Sequence, residues 1–175
     1  MSRLSLTVLL ACILALGATA CESQDQKKTA ITKHPVTVTV QLDEKQVAQV
    51  SDALENYPRS SVRLSVKGVV PSQDTDRISG IKVFLNKSDA TAETSSKDPH
   101  FVAAFSFAPT QERKPQGFTL DLTQAMLALK EKHSLDLDKQ LNITLAAIPS
   151  GSGPIPDTLS IPVKEVTVGT TKIDR

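Results

Sequence analysis

The stretch VTVTVQL, residues 36–42, leaves the backbone little choice. Val36, Val38, Val40 and Leu42 alternate with Thr37, Thr39 and Gln41 at a period of two, and β-branched residues occupy both faces, the pattern of a half-buried strand. The same period returns in SVRLSVKGVV (61–70), where Val62, Leu64 and Val66 lie opposite Arg63, Ser65 and Lys67. It continues in ISGIKVFLN (78–86), FVAAFSFA (101–108), QLNITLAAI (140–148) and the tail from Leu159 to Ile173. Clusters of Pro, Gly, Asp and Ser separate these runs, and Pro109, Pro149 and Pro162, which lack an amide donor, end or edge them.

Two stretches break the alternation. In DLTQAMLALKEKH (121–133), Asp121 and Gln124 have the spacing of a capping box, and Leu122, Ala125, Met126 and Leu129 share one helical face. Lys130, Lys132 and His133 suit the negative C-terminal end of that helix. DEKQVAQVSDALEN (43–56) opens in the same way and places Val47, Val50 and Leu54 at helical spacing before Tyr57 and Pro58 stop it. The expected fold is mainly β: an antiparallel β-sandwich of six or seven strands with one or two short helices.

The N-terminus reads as a targeting segment. Arg3 supplies a positive start, and Leu4 to Leu16 form an apolar run of about a dozen residues, short of the roughly 20 that span a bilayer. Residues 1–20 are therefore expected to be a signal peptide. Two cleavage readings compete at one bond: Ala18, Thr19 and Ala20 suit ordinary signal peptidase, while Cys21 immediately after them makes the segment resemble a bacterial lipoprotein signal, although that pattern usually has a larger aliphatic residue where Ala18 stands. The ordinary cut would leave a lone N-terminal thiol in an oxidising compartment, whereas lipidation gives Cys21 a purpose. A diacylglyceryl thioether with an amide-linked palmitate-type chain buries enough methylenes, at about 0.8 kcal/mol each, to act as a permanent anchor. The expected location is the non-cytoplasmic, periplasmic side of a bacterial cell envelope, with inner and outer membrane both open after Glu22.

Removing residues 1–20 from a 175-residue chain leaves one domain with a real core. The chain has 20 Lys and Arg against 19 Asp and Glu, and loss of Arg3 makes the two equal, so no basic surface for a phosphate backbone is expected and nucleic acid is excluded as a partner. With Cys12 removed, no intramolecular disulfide can form. Residues 21–35 are expected to be a lipidated tether, because ESQDQKKTAITK (22–33) is polar and aperiodic, with Pro35 opening the folded domain of residues 36–173. Its dozen or so residues, at about 3.3 Å each, would let the domain stand clear of the lipid.

At RISGIKVFLN (77–86) and DPHFVAAFSF (98–107), followed by LTQAMLALKEKHSLDLDKQLNITLAAIP and VKEVTVGTTKI, the chain resembles, in order, the β-rich C-terminal domain that follows the copper domain of plant polyphenol oxidases and related bacterial tyrosinases. The family's strand ending in V-F/Y-L/V-N is matched by Val83 to Asn86. Its F-x-G-x-F strand is matched by Phe101 to Phe105, with Ala103 in place of the glycine. The resemblance implies a β-domain that packs over a copper site and shields it in the latent enzyme, here detached from any copper domain. Tyrosinase chemistry needs two coppers with three histidines each, and this chain has three histidines in all, His34, His100 and His133. The expectation is no enzyme, no cofactor and no resident metal.

Other chemistries find little footing. His34 at the tether's end, His100 in a turn and His133 at a helix end lack metal-pair spacing. Met126 is a poor basis for a soft copper carrier, Ser152 lies in the loop PSGSGPIP rather than in a nucleophile elbow, and Asp74 and Asp76 read as turn formers before calcium ligands. Phe101, Phe105 and Phe107 share parity with Ala103, which predicts one continuous apolar face. Tyr57, at a loop edge, is the candidate partner-binding residue, a side chain able to enter a partner's pocket as a blocking residue does in latent oxidases. The expected function is a binding or accessory module that caps or assists a tyrosinase-like copper oxidase. The alternative is a structural or ligand-binding envelope lipoprotein without an oxidase partner.

Overall fold

The computed structural model describes residues 29–107, 113–137 and 140–173. Nine strands and two α-helices occur among them, in the order β1 (Thr29–Ile31), β2 (Val36–Gln41), α1 (Glu44–Glu55), β3 (Ser60–Val69), β4 (Ile78–Leu85), β5 (Phe101–Phe105), β6 (Gln116–Asp121), α2 (Thr123–Glu131), β7 (Gln140–Pro149), β8 (Ile161–Val163) and β9 (Glu165–Lys172). The strands form a four-stranded sheet, β2-β7-β4-β5, a three-stranded sheet, β6-β3-β9, and a ribbon, β1-β8, with every pairing antiparallel. A mainly β, antiparallel sandwich is thus the fold. The strand count exceeds six or seven because Gln116–Asp121 pairs with β3, the tail divides at Lys164, and Thr29–Ile31 joins the domain.

That last strand corrects the expectation of a tether reaching Pro35. Thr29, Ala30 and Ile31 lie opposite Val163, Pro162 and Ile161, and Ile31 is fully buried with Ile161. Composition over 22–33 is polar, but a single isoleucine with an apolar partner strand is enough to order the end of that stretch.

Alternation decides the core. Val62, Leu64 and Val66 of β3 are fully buried, as are Leu141, Ile143 and Leu145 of β7, and one contiguous cluster joins both sheets to both helices. Each such side chain contributes roughly 1.5–3 kcal/mol on burial. The opposite face of the three-stranded sheet is polar, and its cross-strand pairs are matched in charge: Arg63 meets Asp121 at 3.3 Å and Lys67 meets Glu165 at 3.2 Å. On the outer face of the larger sheet, Thr37 and Thr144 share a hydroxyl hydrogen bond of 2.9 Å, and Thr39 donates to Asn142 at 2.9 Å.

The helices begin differently. Asp43 caps α1 in a full capping box, accepting from Gln46 N at 2.7 Å while Gln46 Oε1 accepts from Asp43 N at 2.9 Å. For α2 the expected Asp121 cap gives way. Asp121 ends β6 and accepts from Thr123 N at 2.8 Å, the helix starts two residues later, and Thr123 Oγ1 accepts from Val62 N at 2.9 Å inside the core. The helix closes at Glu131, and His133 takes a left-handed φ of 53° while Ser134 N donates to Leu129 O, a C-terminal turn rather than a last helical residue.

Asn86 and Gly68 mark where strands must bend. Asn86, at φ 51°, ends β4; its backbone N–H donates to Asn142 O at 2.7 Å and its side-chain oxygen accepts from Asn142 N at 2.9 Å. Gly68, at φ 63°, lies in the register shift of β3 against β6, and a Cβ there would stand 2.5 Å from the Lys164 Cβ.

The predicted phenylalanine face is split. The register of β5 on β4 shifts between Val83 and Phe84, leaving Val102 unpaired, so that Phe101 stands opposite Phe84. Phe105 remains in the main core and stacks on Phe118 with ring centroids 4.0 Å apart, and Phe107 meets both edge-on. Phe101 instead packs with Phe84, Ala90 and Ala146 in a second cluster. Because Ala90 belongs to the connection between β4 and β5, this cluster holds that connection against the outer face of the larger sheet. Lys82 secures it, donating to the carbonyls of Ala92 at 2.6 Å and Thr94 at 2.9 Å.

Candidate partner-docking surface

At one end of the sandwich, α1 runs out into a tight turn. Asn56 N and Asn56 Nδ2 both donate to Asp52 O, Arg59 N donates to Asn56 O, and the Tyr57–Pro58 peptide is cis. Tyr57 is 45% exposed, and its hydroxyl accepts from Gln124 Nε2 at 2.7 Å, which ties the end of α1 to the first turn of α2. The chain's last described residue comes back to the same place: Lys172 pairs with Ser60, and Ile173 N donates to Arg59 O at 2.8 Å.

This return matters because Ile173, at 36% exposed, is the other large exposed hydrophobic side chain among the described residues. Both lie at the end where β3 begins and β9 finishes, beside a depression of about 770 Å³ lined by Asp52, Asn56, Pro58, Arg59, Lys172 and Ile173. The rim carries one acidic and two basic side chains. Tyr57 is not among the residues that line the depression; Pro58 and Ile173 ringed by Asp52, Arg59 and Lys172 give it an apolar centre with a charged edge, the make-up of a small docking patch. Sequence reasoning singled out Tyr57 and missed Ile173, whose only signal was its place at the end of a strand.

The remaining candidates are dispersed. His100 Nδ1 donates to Leu85 O at 2.8 Å ahead of β5, His133 lies in the turn after α2, and His34 lines a separate cleft. Met126 is wholly buried in the core. Asp74 and Asp76 lie in a 3₁₀ turn, Gln73–Arg77, and Ser152 lies in the loop after Gly151, whose φ is 68°. Among the described residues no three His, Cys, Asp or Glu side chains gather as metal ligands. Cys21 lies outside the described residues.

The separate cleft measures about 550 Å³ and runs between Lys33 to Pro35, Thr91 to Glu93 and the 153–157 loop, over Ala146 and Ala147. Lys33 forms an ion pair with Asp157 across it. The hydrogen bond from Lys33, and then its charge, hold the Asp157 carboxyl below its ordinary value. Glu93 is also held low, first by the Thr91 hydroxyl, then by its own backbone N–H and the more distant Lys82 charge.

No family model matches the chain, and no curated protein matches it. Solved structures do. A recombinantly expressed latent aurone synthase, a polyphenol oxidase, superposes with a TM-score of 0.59 at 15% identity over 87% of this chain and 27% of its own. The same enzyme from its natural source gives 0.59 at 16% identity, over 87% and 28%. Latent apple tyrosinase gives 0.54 at 18% identity, over 83% and 28%. The chain spans little more than a quarter of the length of these oxidases. In fold, it resembles the C-terminal β-domain of polyphenol oxidases and tyrosinases, as the order of its sequence motifs implied.

Proposed function

We propose that this chain is a non-catalytic accessory module that docks on a tyrosinase-like copper oxidase through the end bearing Tyr57 and Ile173, and that a lipid on Cys21 holds it on the non-cytoplasmic side of a bacterial envelope. The observation that carries the reading is the superposition of 87% of the chain on a minor part of latent polyphenol oxidases. What supports the docking end is that its two exposed apolar side chains flank one turn: Tyr57 lies in it, and the pairing of β9 with β3 brings Ile173 to Arg59. A domain of this kind acts by covering a partner's entrance, so its own chemistry is shape and surface.

The test is to add the purified lipoprotein, in detergent, to a tyrosinase-like oxidase from the same cells and follow both co-purification and diphenol oxidation. A stable complex with a changed oxidation rate is expected. Failure to bind, with an unchanged rate, would refute the reading. The rival, a ligand-binding envelope lipoprotein without an oxidase partner, draws on the 550 Å³ cleft between Lys33 and Asp157.

A further inference from the structure

Charge along the smaller sheet is answered pair by pair until its last rung. Arg63 of β3 has Asp121 across from it, and Lys67 has Glu165. Lys172, at the end of β9, stands opposite Ser60 instead. The next residue, Ile173, donates its N–H to Arg59 O at 2.8 Å, so backbone pairing sets Arg59 and Lys172 side by side at one end of the sheet. Both side chains are exposed, and neither forms an ion pair among the described residues. Like charges held together in this way repel, and their charge is available to a partner.

The two cations border the 770 Å³ depression, whose centre is Pro58 and the part-exposed Ile173. Asp52, the acid on the same rim, is already engaged, because its carboxylate accepts from Asn56 Nδ2 at 2.9 Å within α1. A small anion would meet the charges and leave the apolar centre bare. An apolar side chain alone would cover the centre and leave two cations facing it. The occupant that answers the whole surface carries both, a carboxylate on each side of a hydrocarbon.

We infer that this depression receives an acidic segment of the partner protein, with one aliphatic side chain between Pro58 and Ile173 and flanking carboxylates on Arg59 and Lys172. This deepens the docking end proposed above, on which its location rests, and holds whether or not the partner is an oxidase. Rim charges act chiefly on encounter rate and on the choice of partner, so association through this end is salt-dependent.

The probe is a capped pentapeptide, one leucine with two aspartates on each side, titrated calorimetrically into the full lipoprotein in detergent. Its binding is expected to weaken at least about threefold between about 0.05 M and about 0.5 M salt. The counterpart with asparagine for every aspartate keeps the leucine and is expected to bind at least about tenfold more weakly. Hydrogen exchange should show protection over residues 56–60 and 171–173. Arg59→Gln combined with Lys172→Gln should bring the two peptides within about twofold of each other at an unchanged melting temperature, and Arg59→Lys, which keeps the charge, should bind within about threefold of wild type. The comparison of peptides uses the unaltered protein, so it decides even where the double variant fails to fold. No binding of the aspartate peptide, equal binding of both peptides, or protection elsewhere would overturn the inference. With the oxidase itself, undiminished binding by the folded double variant would overturn it and leave the accessory role standing. Peptide binding as expected, with no oxidase complex, would uphold it and refute the oxidase as partner.

Discussion

Tyr57 and Gln124 join two helices that are far apart in sequence, through a 2.7 Å hydrogen bond from the Gln124 amide to the phenol oxygen. The bond is exposed, so its net contribution is about 0.5–1 kcal/mol, and its effect is to fix the direction of a tyrosine that remains 45% exposed. Changing Tyr57 to Ala should therefore release the proposed inhibition of the partner oxidase while leaving the melting temperature near normal. Gln124→Ala should keep binding but weaken it several-fold, as a freed ring loses its preset direction. Calorimetry with paired inhibition assays distinguishes these results from a general loss of structure.

Phe84 and Lys82 hold the connection between β4 and β5 from two sides. Phe84 is fully buried in its small cluster, and Phe84→Ala should cost about 3–5 kcal/mol, measured by denaturant unfolding. Lys82→Ala removes two donors from the carbonyls of Ala92 and Thr94 and should cost about 1–2 kcal/mol. Its larger effect should be local, with amides between Lys87 and His100 exchanging faster while those of β7 hardly change. Uniform acceleration across both would contradict the assignment of Lys82 as a local staple.

Asp157 carries a pH signature with a definite sign. Lys33 lowers its folded-state pKa below the ordinary 3.8, so the stabilisation is whole above that value and is lost as pH falls through the lower folded value. Asp157→Asn should melt below wild type at neutral pH, and the gap should close only under strongly acidic conditions. The pair is exposed and screened, so the gap should also shrink in high salt. A difference that persists unchanged at pH 2 would point to lost packing instead of the ion pair.

Intact mass spectrometry of the protein purified from its own membranes tests the anchor. The expected species begins at Cys21 with two or three acyl chains, and Cys21→Ser should move the protein from the membrane pellet to the soluble fraction. An unmodified chain, or one retaining its first twenty residues, would remove the basis for placing it at a membrane surface.

Alternation and the cap of α1 were legible in the residues themselves; the cap expected of Asp121 at α2 was not formed. VTVTVQ and SVRLSVKGV carry their strand period in side-chain chemistry alone, and the Asp43 to Gln46 spacing specifies the start of α1, because these signals act within a few residues. Parity misled at Phe101, where one unpaired residue opposite β4 turned the ring to the other face. Nothing near Phe101 announces that bulge, since it depends on how a distant strand lines up.

The same distinction separates the candidate site from its sequence signal. Tyr57 was visible as an aromatic before a proline, but Ile173 reached Arg59 in the same turn only when β9 paired with β3, and Ile31 acquired a core position only when Ile161 came to face it. The sequence by itself determined the strands β2 to β5, β7 and the β8–β9 tail, both helices and most of their apolar faces, but neither β1 nor β6, because periodicity is a local property and those two short strands take their place only from their partners. Tertiary structure decided register and which exposed side chains share a surface, because each of these depends on pairing between segments remote along the chain.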